Sequence, residues 1–163
     1  MSILKVTEYP ARVLADVGQP VEKFDEELEK LVADMFETMY DAKGVGLAAP
    51  QVSLSLRLFV MDCDGLKVVA ANPEIISTTG EQDGEEGCLS VGAIHAPLRR
   101  AARATLRAQD VKGNWYEQET EGLAARCFQH ETDHCDGILF INRLTPLKRD
   151  MVKKKFQKMK KWR

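Results

Sequence analysis

The chain has 163 residues, 44% hydrophobic and 29% charged, with a formal net charge of −2. That suits one globular domain over residues 1–163, and no apolar run is long enough to cross a bilayer. The opening Met-Ser-Ile-Leu-Lys-Val-Thr-Glu-Tyr-Pro lacks the apolar stretch of a secretory signal, and the early Glu8 and Asp16 do not suit a transit peptide, so a cytoplasmic protein is expected.

In chain order, Leu28, Leu31, Val32, Met35, Phe36 and Met39 recur at helical spacing and predict a helix over 25–42, closed at Lys43-Gly44. Short strands follow at 57–62, around Leu58-Phe59-Val60-Met61, and at 67–71. An alternating stretch at 104–109 turns through Val111-Lys112-Gly113-Asn114 into a strand at 115–119. A helix is predicted over 121–136 with Gly137 closing it, and Thr145-Pro146 opens a last one with threonine as cap and proline in the first turn. Strands and helices do not alternate as βαβ units, so the class is α+β rather than a Rossmann-like sheet.

The chain has only three histidines, and two fall in His130-Glu131-Thr132-Asp133-His134. Residues i and i+4 lie one above the other on a helix, so both imidazoles can reach one metal ion, with Glu131 beside them to take a proton from water. A catalytic metal needs a third protein ligand and an open position. The downstream sequence offers none of the familiar ones: the metzincin position is Phe140, and no glutamate follows Glu131. Four cysteines remain, in a pattern that suits a reducing compartment. Cys127 and His134 are separated by about 10 Å of helix rise, too far for side chains strung along that length to converge on one ion. Cys135 points about 100° away from His134, and Cys63 has no cluster around it. Cys88 stands slightly ahead of these, among glycines and acids in Gly84-Glu85-Glu86-Gly87-Cys88-Leu89-Ser90.

Glu86-Gly87-Cys88-Leu89-Ser90, Gly44-Val45-Gly46-Leu47-Ala48-Ala49-Pro50-Gln51 and Gln129-His130-Glu131-Thr132-Asp133-His134 together resemble the three signature motifs of the peptide deformylases, in that family's order. Asn72-Pro73-Glu74 and a terminal helix extend the resemblance nearly end to end. It implies small antiparallel sheets packed around a central HExxH helix, with a C-terminal helix. It also implies Cys88, His130 and His134 as ligands of one divalent metal: Fe2+ in the cell, with Zn2+, Ni2+ or Co2+ also suited to the set. Glu131 is implied as the acid–base, the Gln51 amide and the Leu89 N–H as oxyanion donors, and Val45, Gly46 and Gly87 as substrate-binding positions. The implied reaction removes the formyl group from the N-terminal formyl-methionine of new proteins, releasing formate. Residue chemistry alone reaches only a metal-dependent hydrolase. A zinc metallopeptidase, a closed structural zinc module and a non-catalytic deformylase-like metal-binding protein are the alternatives.

Some positions depart from the family's usual pattern. Gly92 stands where members commonly carry proline and is expected to loosen a strand following the ligand. His95 is expected as a surface or groove side chain rather than a ligand. Gly84 replaces a bulkier apolar residue near the methionine pocket, and Arg126, one turn before His130, either narrows that pocket or ion-pairs with an acid. Arg100 and Arg103 are candidate partners of Asp133 or Glu86. From Lys148 to Arg163 nine basic residues face a single acid, giving +8 and leaving −10 for residues 1–147. Val152, Phe156 and Met159 form a stripe that can hold this helix on the domain with its lysines outward. The expected partners are therefore N-formylmethionyl nascent peptides and, through the basic helix, the ribosome. No membrane or DNA contact is expected, and a monomer is. Deleting 149–163 is expected to weaken ribosome binding and leave small-peptide turnover largely intact.

Overall fold

The structure, a computed structural model, describes residues 2–161; Met1, Trp162 and Arg163, the ends of the expected span and of the basic tail, lie outside the described residues. Helix α1 (Glu26–Asp41) starts at Asp25, whose carboxylate accepts from the Leu28 N–H at 3.1 Å. It closes at Lys43-Gly44, as expected. Lys43, not Gly44, takes the left-handed position at φ 59°. Lys43 N–H donates to the Tyr40 carbonyl and Gly44 N–H to Met39, which is the Schellman pattern. Gly44 is needed one residue later for a different reason: a Cβ there would lie 3.0 Å from the Leu89 side chain.

Strands β1 (Gly46–Ala48), β2 (Leu58–Cys63), β3 (Leu66–Thr79), β6 (Arg103–Gln109) and β7 (Trp115–Glu121) form one sheet in the order β1-β2-β3-β6-β7, every pairing antiparallel. β4 (Glu85–Gly87) and β5 (His95–Pro97) pair separately in the excursion between β3 and β6. The second strand was expected to stop at residue 71. It runs on to Thr79 through a bulge at Asn72, whose φ of 51° is stabilised by side-chain bonds to Val21 and Gln109.

The apolar run Leu58-Phe59-Val60-Met61 is explained by burial on both faces. Phe59 and Met61 pack with Ala124, Cys127 and Phe128 of helix α2 (Gly122–Cys135), whereas Leu58 and Val60 pack with Met35, Phe36 and Met39 of α1. α2 closes as expected on Gly137 at φ 75°, with Gly137 and Ile138 donating to His134 and Asp133. Helix α3 (Pro146–Lys161) opens at Thr145, whose hydroxyl accepts from Lys148 N–H at 3.3 Å. Its Val152 and Phe156 are buried in a third cluster with Cys88, Val91, Phe140, Ile141 and Leu144. Among the described residues no helix is long and apolar enough to cross a membrane.

Candidate active site

α2 is buried on nearly every side and presents His130 and His134 one turn apart, ring centroids 4.9 Å from each other. Cys88 follows β4 and enters a short 3-10 turn, Leu89–Val91. Its Sγ lies 3.3 Å from His134 Nε2, and Cys88, His130 and His134 each bring a donor atom within 4.8 Å of the others. Sulfur and nitrogen ligands at about 2.3 and 2.0 Å from one tetrahedral ion sit about 3.5 Å apart. The three residues therefore fit a shared metal ion, and a fourth direction is left to a cavity of about 310 Å³. Eight of the nine expected site residues line that cavity; His134 is fully buried behind them.

The glycine-rich segment is explained by what it touches. A Cβ on Gly46 would lie 2.5 Å from Glu131 Oε2 and 2.8 Å from Cys127 Sγ, so only glycine lets β1 approach Glu131 this closely. Gln51 is buried, its Oε1 accepting from Ala48 N–H at 3.0 Å. Its amide Nε2 is thereby turned toward the site, 3.5 Å from Cys88 Sγ and 3.2 Å from Ser90 Oγ. Leu89 opens the 3-10 turn, where an N–H has no acceptor within its own helix.

Burial and neighbouring charge act differently on the buried groups of the site. Burial works against charge on His130, yet Glu131, Cys88 and Glu86 outweigh it and raise its pKa well above the ordinary 6.5. Burial, followed by repulsion from His130, keeps His134 a neutral imidazole donor. Burial pushes Glu131 up to about 7, near where a general base is effective, and its Oε1 has no hydrogen-bond partner among the described residues. Cys127 is raised well above its usual value by burial and then by Glu131, and Cys135 to about 12 by burial, so both are neutral buried thiols.

The sequence reading saw Glu86 only as an ion-pair partner. Its Oε2 lies 2.7 Å from His130 Nδ1, which fixes the ring so that Nε2 is free for a metal. Burial opposes ionisation of Glu86, but hydrogen bonds from His130 and Arg100 outweigh it and hold the carboxyl well below the usual range. Arg100 donates to both Glu86 oxygens and, at 2.8 Å, to Asp133, which also accepts from Arg143. Arg103 does not join them; it pairs on the surface with Glu119 and Glu121 across β6 and β7. Arg126 does ion-pair, 3.0 Å from Glu86 Oε1, and its Nη2 lies 3.2 Å from where a Cβ on Gly84 would stand. Gly84 thus admits the guanidinium.

Gly92 itself lies outside any strand, and the strand that follows Cys88, β5, begins at His95. Gly92 ends the 3-10 turn at φ 62°, a conformation closed to proline. His95 lines the cavity mouth with its ring against Gly87 and is no ligand. A larger cleft of about 630 Å³ behind α2 contains Arg57, Arg99, Arg100 and Arg143, each already paired with an acid.

A sequence profile of the family described as Polypeptide deformylase matches residues 3–150. A peptide deformylase of Acidobacterium capsulatum is 49% identical over 98% of this chain and 96% of its own. The crystal structure of the Legionella pneumophila peptide deformylase superposes with a TM-score of 0.95 at 48% identity, covering 99% of this chain and 97% of that one. The Thermus thermophilus enzyme does so at 0.88 and 42%, covering 96% and 99%. Sequence and fold agree with these relatives over nearly the whole chain, and the chain belongs to the peptide deformylase family.

Proposed function

We propose that Cys88 as thiolate, His130 and His134 hold one divalent ion, and that Glu131, Gln51 and Leu89 carry out deformylation around it. The observation that carries this reading is the meeting of the three donor atoms within 4.8 Å beside a buried carboxylate raised to about 7. A divalent ion there supplies Lewis acidity, making the attacking water easier to deprotonate and the formyl carbon more electrophilic. Glu131 takes the water's proton and returns it to the leaving amine. The Gln51 Nε2 and the Leu89 N–H donate to the oxygen that becomes negative as the carbonyl turns tetrahedral. Val45, Gly46 and Gly87 flank the cavity and position the formyl-methionine. Formate and a free amino terminus result.

The native ion in this reading is Fe2+, and Zn2+, Ni2+ and Co2+ suit the same donors. The chain works as one catalytic domain, a cytoplasmic monomer that meets its substrates at the ribosome. The deciding assay is turnover of a formyl-Met-Ala peptide against cleavage of an internal peptide bond, with and without a chelator, on anaerobically purified protein of measured metal content. Chelator-sensitive formate release with no internal cleavage is expected. Internal cleavage would favour a metallopeptidase, and neither activity in metal-loaded protein would favour a non-catalytic relative.

A further inference from the structure

The loop that carries Cys88 and Leu89 contains two consecutive residues in the left-handed region, Gly92 at φ 62° and Ala93 at φ 56°. A non-glycine residue there is strained and persists only where its surroundings impose it. Inside the loop, the Cys88 carbonyl accepts from both Val91 and Ala93 N–H at 2.9 Å. Ala93 lines the substrate cavity. Outside it stands α3. A Cβ on Gly92 would lie 3.1 Å from both Met159 Cε and Phe156 Cδ1, so the helix presses directly on the loop's backbone. Phe156 and Val152 are buried in the same cluster as Cys88 and Val91.

A second line of contact reaches the same loop. Lys160 Nζ donates to the Tyr9 carbonyl at 3.3 Å, and Lys153 sits 5.6 Å over the Tyr9 ring. Tyr9 N–H in turn donates to the Ser90 carbonyl at 2.8 Å. Ser90 Oγ is the group that accepts from the Gln51 amide. One face of α3 therefore touches, directly or through Tyr9, the segment bearing the Cys88 sulfur, the Leu89 N–H and the anchor of Gln51.

We propose that Phe156 and Met159 are positioning residues for deformylation, acting through Gly92 to hold the Cys88–Ala93 loop in its catalytic shape. This rests on the reading of Cys88, Leu89 and Gln51 given above. Whatever binds the outer face of α3 thereby grips the helix that backs the loop forming one wall of the cavity.

The test is a double-mutant cycle read by kcat and KM on a formyl-Met-Ala peptide, by the rate of metal loss to a chelator, and by Tm. Gly92→Ala adds a methyl against Met159 and a strained φ, and should lower kcat by about tenfold and speed metal loss. Met159→Ala alone should lower kcat by about two- to threefold. Residues in contact deviate from additivity. The double variant should therefore keep at least about threefold more activity than the product of the single effects, since the added methyl gains room. Phe156→Leu keeps an apolar plug and should fall between Met159→Ala and the parent. Leu147→Ala and Met151→Ala, exposed on the same helix, should change neither kcat nor metal loss. Strictly multiplicative effects would overturn the proposal. So would Met159→Ala and Phe156→Leu that lower Tm while kcat, KM and metal loss stay at parental values. If the parent holds metal through Cys88 but does not deformylate, the reaction reading falls, and the metal-loss arm of the cycle still decides the role of α3.

Discussion

Glu131 is wedged against Gly46 with one oxygen unpartnered among the described residues, so its burial is costly and suits the role of base proposed for it. Glu131→Gln keeps its size, so metal content should persist while kcat falls by about 10²-fold or more, the usual scale of acid–base catalysis. Near-parental turnover in a metal-loaded variant would remove Glu131 from the mechanism. The same residue sets a pH dependence in metal-free protein. Its folded pKa is raised to about 7 from an ordinary 4.5, and that of His130 is raised as well. Both groups therefore contribute stability that is present at low pH and lost as pH rises through their folded values. Thermal melts of chelated protein should show Glu131→Gln gaining on the parent between pH 5 and pH 8; a constant difference would contradict the shift. Glu86 acts one bond further out. Glu86→Gln should weaken metal affinity by about 10- to 100-fold, the range for a group that orients a metal-bound histidine, and competition with a chelator measures it. Cys88→Ala should abolish metal binding, and Cys127→Ala should leave stoichiometry unchanged by elemental analysis. The reverse result would mean that the third ligand has been misassigned.

Among the elements, α3 shows how far the chain could be read without its fold. The stripe Val152, Phe156 and Met159 was visible as helical spacing, as were α1 and α2, because those signals are local. What the stripe packs against was not visible: its partners Cys88, Val91 and Gly92 lie more than fifty residues away in sequence. The helix-borne half of the site was likewise legible, since i and i+4 suffice to pair two histidines. Cys88 was only an oddity among acids until its motif was matched to a family. The hydrogen bond from His130 to Glu86 spans 44 positions and left no local trace. Nor could spacing tell that Lys43 rather than glycine would close α1, or that β3 would pass through Asn72-Pro73. Packing also revises the expected deletion of 149–163. Removing Val152 and Phe156 would open the cluster that contains Cys88, so lost turnover would say nothing about docking. Charge reversal is the sound alternative. Lys154, Lys155, Lys158 and Lys161 are exposed. Changing all four to Glu should abolish salt-sensitive ribosome cosedimentation and spare formyl-peptide turnover. Unchanged cosedimentation would return α3 to packing alone.

For the whole molecule, chain order matters as much as geometry. β3 and β6 are neighbours in the large sheet, yet Cys88 sits in the excursion between them, and both histidines come only after β7. The sheet can therefore form without any of the three donors in place, and a divalent ion held by them would act as a clasp between that excursion and α2. In a ribosome-bound chain such a clasp could not shut until α2 had emerged, which would make metal acquisition a late event in the protein's own synthesis. In finished protein the clasp should be separable from the frame. Hydrogen exchange of chelated against metal-loaded protein should show protection lost between residues 80 and 102, while β2, β3 and β6 exchange as slowly as before. Uniform loosening of the sheet on metal removal would show instead that the ion is woven into the frame.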